Sequence, residues 1–354
     1  MSAYALTQLG LAVLCLFSMA GSAWGAASDS PSPCPEPEAH QFDFWIGDWE
    51  VVNQFIQDDG SWQVQGRATN RVYPVLDGCA IIEHWEGVLG PRPLYGFSIR
   101  AFNPQSRQWD LLLNWPSPNR PTFGKLQGVF THGRGEFFSR RAGQDGKEMR
   151  IRYSFADISP DAFRWDAARS EDGRNWFTHW IMEFTRRPAG SLPLFNGPTT
   201  LSPQWELCRG EEFRQFDFLI GRWQGTLTRS GKETAVRTQA VPLLQGCALM
   251  DFTEWQEEPR SVHIFRIRAY DPSSKKWVLY RIDTRNRIFE SLQGGLIEGR
   301  MELTGRLSRQ AGEADWKVVW SGLEEKTPVR EVFRSSDGGQ SWQPVSKTEL
   351  KREF

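Results

Sequence analysis

From residue 40 onward the chain is written in short apolar–polar alternations rather than in helical stripes. "MRIRYSF", Met149 to Phe155, sets apolar and basic side chains on opposite sides at period two, as a half-buried strand requires. "SIRAF" runs into "WDLLLNW" through "NPQSRQ", and "RIRAY" runs into "WVLYRID" through "DPSSKK". An Asn-Pro or Asp-Pro start suits a tight turn, because proline fixes its own φ. Asp172-Gly173 and Asp337-Gly338 sit between aromatic-rich runs and read as hairpin signals. Each half of the chain holds about ten short strands and no amphipathic helix beyond a turn or two. Many short strands at close spacing predict a sandwich or an antiparallel barrel.

The pattern is written twice. "HQFDFWIGDW" (His40 to Trp49) returns as "RQFDFLIGRW" (Arg214 to Trp223). "PVLDGCAIIEHWE" (from Pro74) is answered by "PLLQGCALMDFTEW" (from Pro242), and "FSIRAFNPQSRQWDLLL" (from Phe97) by "FRIRAYDPSSKKWVLYR" (from Phe265). "LQGVFTHGR" meets "LQGGLIEGR", and "SEDGRNW" meets "SSDGGQSW". A period of about 170 residues is too long for a solenoid repeat and indicates a duplicated domain. The expected division is a barrel over residues 40–187, a Pro/Gly/Ser/Thr-rich linker over 188–206, and a second barrel over 207–354.

Charge adds mainly exclusions. Lys plus Arg number 42 and Asp plus Glu 43, so the formal charge is −1. That balance speaks against a broad nucleic-acid footprint or a polybasic membrane patch. Leu9 to Ala20 is apolar and is followed by small residues in "SAWGAA", which reads as a secretory signal over residues 1–25 despite an n-region without Lys or Arg. The stretch is too short to span a bilayer, so no stable membrane insertion is expected once it is removed. Residues 26–39 then form a flexible lead carrying Cys34, and a periplasmic or secreted product is expected.

Export changes the meaning of the cysteines. Cys34 precedes Phe42 by eight residues, as Cys208 precedes Phe216, and Cys79 and Cys247 each sit in a "GCA". Placement that repeats in an oxidising compartment predicts one disulfide per domain, Cys34–Cys79 and Cys208–Cys247, against the alternative of four buried thiols. Each closes a loop of about 40 residues, for a stabilisation of about 3–4 kcal/mol on the chain-entropy estimate.

The recurring Gly47-Asp48-Trp49 and Gly221-Arg222-Trp223 resemble the G-x-W signature of lipocalin/calycin barrels. That resemblance implies a glycine for tight passage of the chain and a tryptophan plugging the closed end. It also implies a covering arginine near the last strand, here Arg186 or Arg187 in one copy and Arg352 in the other. Over nearly the whole mature chain, "QFDFWIGDWEV", "LDGCAIIEHWEG", "IRAFNPQSRQW" and "SEDGRNW" resemble exported bacterial proteins of the DUF1579 type, whose name declares no function. The resemblance implies an all-β fold of two tandem lipocalin-like antiparallel barrels, and it carries over no catalytic residue.

Candidate chemistry lies on the strands. Glu83 is matched by Asp251, and Arg100 by Arg268 in mid-strand, where a cation must face water, pair with an acid or point into a polar cavity. His84 is replaced by Phe252, so chemistry resting on it cannot run in both copies. Gln127 and Gln293 in "LQG" are polar groups able to orient a ligand or to satisfy strand backbone, and Arg281 is a further candidate contact. Trp85, Trp115, Trp165 and Trp180, and in the second copy Trp255, Trp316 and Trp320, serve either as core or as the lining of an apolar pocket. No G-x-S-x-G elbow, Gly-rich phosphate loop or metal-ligand spacing occurs, so no cofactor and no metal are expected. The expected function is the binding of a small, mostly apolar or amphipathic molecule in one or both barrels. A cofactor-free enzyme (isomerase, cyclase or hydrolase) and a structural protein with filled barrels are the alternatives. The sequence carries no sign of oligomeric state.

Overall fold

A computed structural model describes residues 34–89, 92–115, 123–142, 146–191, 207–258, 260–309, 312–324 and 327–353. The expected signal segment and most of the expected linker lie outside these residues. Ten strands make the first barrel: β1 (Gly47–Ile56), β2 (Trp62–Val75), β3 (Ala80–Leu89), β4 (Arg92–Asn103), β5 (Gln108–Asn114), β6 (Gly124–Thr131), β7 (Arg134–Ala142), β8 (Glu148–Ala156), β9 (Ala162–Ser170) and β10 (Phe177–Arg186). Ten more make the second: β11 (Gly221–Arg229), β12 (Lys232–Leu243), β13 (Ala248–Glu257), β14 (Arg260–Asp271), β15 (Lys276–Asp283), β16 (Glu290–Ile297), β17 (Arg300–Arg309), β18 (Gly312–Ser321), β19 (Val329–Ser335) and β20 (Gln343–Arg352).

Every neighbouring pair is antiparallel and sequential, and β1 closes on β10 as β11 closes on β20. The fold is therefore all-β, two tandem closed barrels, as the alternation and the duplication predict. Closure leaves no sheet edge unpaired, which removes the aggregation hazard of an open edge. The helical content of the described residues is single 3₁₀ turns, such as Asp43–Trp45 and Asp217–Leu219 before β1 and β11. Among the described residues no helix is long and apolar enough to cross a membrane.

Two strand pairs depart from clean alternation. β3 and β4, like β13 and β14, are buried on both faces along their middles. Their inward side chains fill the lumen, while their outward ones face the other barrel. Ile82, Ile99 and Leu112 join Met250, Phe265, Ile267 and Ile282 in one hydrophobic cluster that spans both barrels. Phe97 and Phe265 stack across it with ring centroids 6.5 Å apart. Polar contacts border it: Glu36 accepts two hydrogen bonds from Arg287, and His263 Nδ1 lies 2.9 Å from Asp77 Oδ1.

The disulfides are Cys34–Cys79 and Cys208–Cys247. Each ties the lead of its barrel to the residue just before β3 or β13. Two such bridges fit an oxidising compartment.

Candidate functional site

The closed ends are built alike. Trp49 and Trp223 point into their barrels, buried, and each indole N–H donates to a carbonyl of the preceding 3₁₀ turn, Trp45 O and Leu219 O, at 2.7 Å. Arg186 lies over Trp49 at 4.1 Å from the ring centroid, and Arg352 over Trp223 at 4.4 Å. Each arginine also donates to the chain leading into its barrel, at Ile46 O and Ile220 O, both 2.9 Å. Arg187 stands aside, its backbone N–H bonded to Asp48 O. Gly47 and Gly221 hold φ of +134° and +129°, and a Cβ on either would strike the covering guanidinium. Chain conformation and cation placement therefore both demand glycine here.

Above the plugs an acid–arginine pair recurs in both lumens. In barrel 1, Glu83 accepts from Arg100 at 3.0 Å and from Asn70 at 2.6 Å, with Ser98 also bonded to it. Arg100 sits over Trp45, 3.8 Å from the ring centroid, and burial pulls its pKa down to about 10. In barrel 2, Asp251 takes two cations, Arg266 at 2.6 Å and Arg268. Burial pulls both arginines down to about 9.

Beyond this pair the lumens diverge. Barrel 1 is packed with aromatic rings. Trp85 meets Trp115 edge-on at 4.9 Å, Trp115 meets Trp180 at 5.4 Å, and Trp180 meets Trp165 at 5.1 Å. The space left beside Glu83, Arg100 and these rings is about 30 Å³, room for a water or two.

The matching registers of barrel 2 carry different side chains. Ser98 is replaced by Arg266, Leu113 by Arg281, Trp115 by Asp283, Trp85 by Thr253, and Trp165 by Arg330, paired to Trp320 as Trp165 is to Phe155. The tryptophans are gone, and a cavity of about 160 Å³ opens. Its apolar wall includes Val236, Ile264, Leu292, Trp316, Val318 and Val332. Its polar wall includes Thr253, Arg266, Arg281, Asp283, Arg330 and Thr348, together with the exposed Arg229 and Arg285.

Three of the four interior arginines are paired. Asp251 serves Arg266 and Arg268, while Arg281 reaches Asp283 at 2.5 Å and Glu290 at 2.6 Å. Arg266 also donates to Thr253 Oγ1 at 2.8 Å. Arg330 lines the cavity with no acidic partner among the described residues; its near neighbour is the Trp320 ring, 6.0 Å away. Burial, followed by repulsion from Arg266, Arg281 and Arg268, drives its pKa well down from the usual guanidine range.

The expected site residues thus fall into three groups. Asp251, Arg268 and Arg281 meet in the interior of barrel 2, where Trp255 and Trp316 also line the cavity. Glu83, Trp85, Arg100 and Trp115 meet in the interior of barrel 1 as packed core, with little room for a ligand beside them. His84, Gln127 and Gln293 lie elsewhere. His84 is on the outer face, stacked on Tyr73 at 5.6 Å and bonded to its hydroxyl at 2.9 Å, and burial pushes its pKa down to about 3. Gln127 and Gln293 are exposed, because their neighbours Leu126 and Leu292 take the inward positions, and Gln127 bonds Asp110 instead.

The sequence reading did not single out Arg266, Asp283, Glu290, Thr253 and Arg330. A signal for the first was present, since "FSIRAF" and "FRIRAY" differ by a serine against an arginine within an otherwise close match. A hollow of about 360 Å³ also lies outside, between Val75, Leu76, Phe252 and His263, but its Arg237 and Glu254 are exposed and His263 is paired.

No family model and no curated protein matches the chain. Among solved structures, it is similar to an S-type phycobiliprotein lyase from Guillardia theta, at 13% identity and a TM-score of 0.30 over 44% of this chain and 99% of that one. It is also similar to a protein of unknown function from the DUF3598 family of Nostoc punctiforme, at 10% identity and a TM-score of 0.26 over 90% of this chain and 100% of the other. A redesigned β-barrel matches at 14% identity and a TM-score of 0.23 over 43% of this chain and 96% of its own. At such identities and TM-scores these likenesses say nothing of what this chain binds.

Proposed function

We propose that this protein binds a small amphipathic molecule in the lumen of its second barrel, and that the first barrel is a packed scaffold. One observation carries the reading. At matching registers, tryptophans that fill barrel 1 give way in barrel 2 to a cavity of about 160 Å³ walled by both apolar and cationic groups. A cavity of about 150 Å³ in an engineered protein core accepts benzene, so the volume suits a ligand of single-ring size. The mixed wall matches the general design of ligand sites, apolar for affinity with a few polar groups for orientation. Barrel closure, with the Cys208–Cys247 bridge at the start of β13, restrains that wall, which reduces the ordering cost of binding.

The duplication then has a division of labour. Barrel 1 covers the outer faces of β13 and β14 with its own apolar face, and barrel 2 keeps an interior that is not fully packed. An exported destination is part of the same reading, supported by the bridges and by the N-terminal pattern. The test is native mass spectrometry of the protein purified from its producing cell, together with titration of small apolar and amphipathic probes against tryptophan fluorescence. Trp255 and Trp316 line the cavity and should report occupancy. Saturable quenching supports the reading. Its absence for every probe, with no co-purified molecule, would refute it.

A further inference from the structure

The interior of barrel 2 holds Arg266, Arg268, Arg281 and Arg330 against Asp251, Asp283 and Glu290 among the described residues, four cations to three anions. The corresponding pair in barrel 1, Glu83 with Arg100, is balanced one to one. The surplus cation is Arg330, and it borders the cavity, with the Trp320 ring 6.0 Å away. Arg330 is part-buried and open to the cavity, so its uncompensated charge costs less than a fully buried one, but a guanidinium does not relieve that cost by giving up its proton near neutral pH. An anion entering the cavity would.

We infer that barrel 2 takes a small monocarboxylate, its carboxylate on the Arg330 guanidinium and its apolar body against Val236, Ile264, Trp316 and Val332. The inference rests on the reading of barrel 2 as a ligand pocket and names the class of ligand. A single negative charge matches the one surplus cation of the interior, since the other lining arginines, Arg229 and Arg285, are exposed to solvent. A carboxylate meets a guanidinium through two parallel N–H···O bonds, which fixes orientation as well as affinity. Thr348, the register partner of Arg330, stands on the same wall with a hydroxyl able to donate to it. An inorganic oxyanion would neutralise Arg330 but leave the apolar wall unused. A neutral apolar molecule would fill the wall but leave Arg330 uncompensated.

The test is calorimetric titration of the full, disulfide-intact chain in a carboxylate-free buffer, with benzoate, benzamide, benzyl alcohol and inorganic phosphate as probes. Benzoate should bind at least tenfold more tightly than benzamide or benzyl alcohol, and phosphate should bind more weakly than benzoate. Arg330→Gln should erase the preference for benzoate while keeping the neutral probes. Arg330→Lys should restore part of it, since lysine keeps the charge and loses the fork. Circular dichroism and the melting temperature establish that the variants are folded. If the neutral probes bind as well as benzoate, the ligand class is wrong and the pocket stands. Phosphate binding equal to benzoate also overturns the class. If a folded protein binds none of the probes, pocket and class fall together.

Discussion

Two barrels built on one pattern differ in what their tenfold-closed interiors contain. Both have the glycine entrance, the buried tryptophan under an arginine, the disulfide and an inner acid–arginine pair. Above that shared floor, barrel 1 stacks Trp85, Trp115, Trp165 and Trp180, while barrel 2 places Thr253, Asp283, Arg330 and Ser346 at the same registers. The difference teaches that the scaffold and the interior are separable. Strand pairing and the plug need only alternation and a few special residues, and the lumen can be aromatic core or charged cavity without changing the fold.

The largest effects should be common to both barrels. Trp49→Ala and Trp223→Ala should each cost about 3–5 kcal/mol in urea unfolding, because each removes a fully buried ring and leaves Arg186 or Arg352 without its platform. A much smaller loss in one barrel would break the claim that the closed ends are equivalent. Trp165→Ala probes where they part. It should cost a similar 3–5 kcal/mol and open in barrel 1 a cavity that takes up neutral probes, seen by calorimetry against the parent.

The inner pair separates the barrels next. Asp251→Asn removes the acid shared by Arg266 and Arg268, and breaking such a buried pair should cost about 3–5 kcal/mol. Glu83→Gln should cost less, since Arg100 keeps the Trp45 face and the amide keeps an acceptor for Asn70. Equal losses in the two unfolding curves would contradict this. Thr253→Trp, which writes the barrel 1 residue into barrel 2, should weaken probe binding about 100-fold, or about 3 kcal/mol, with the fold retained.

The smallest effect is one of pH, and it tests the outer face of barrel 1, where barrel 2 has Phe252. His84 is held neutral by burial, then by Arg71, with its pKa pushed down to about 3 from an ordinary 6.5. The unfolded chain therefore binds the proton first. Stability from this group is complete above about pH 6.5 and is lost as the pH falls from there toward 3. Between pH 7 and pH 5 the loss should be about 2 kcal/mol. His84→Phe should remove that part of the acid sensitivity, read as the difference between the urea midpoints of variant and parent at the two pH values. Parallel pH dependence would show that His84 does not titrate in this window.

Much of this was legible along the chain. Period-two alternation and Asn-Pro and Asp-Gly turns predict the strands, and the repeat predicts two copies. The candidate site was legible only in part. Asp251 and Arg268 could be found because each is a charge in an apolar run with a counterpart in the other copy. Arg330 could not. In "VREVFRS" it alternates like any solvent-facing charge, and only closure of β19 between β18 and β20 turns that face inward. Gln127 and Gln293 err in the opposite sense: they repeat faithfully, and the register puts them outside.

By itself, the amino-acid sequence determined the strand pattern, the duplication, the pairing of cysteines and the glycine–tryptophan start of each barrel. These depend on local conformation and on repeated spacing, both of which are properties of neighbours along a chain. The tertiary structure alone decided which barrel has room and which cation lacks a counter-ion. Volume and charge balance are sums over ten strands meeting in one lumen, and no segment of the chain contains that sum.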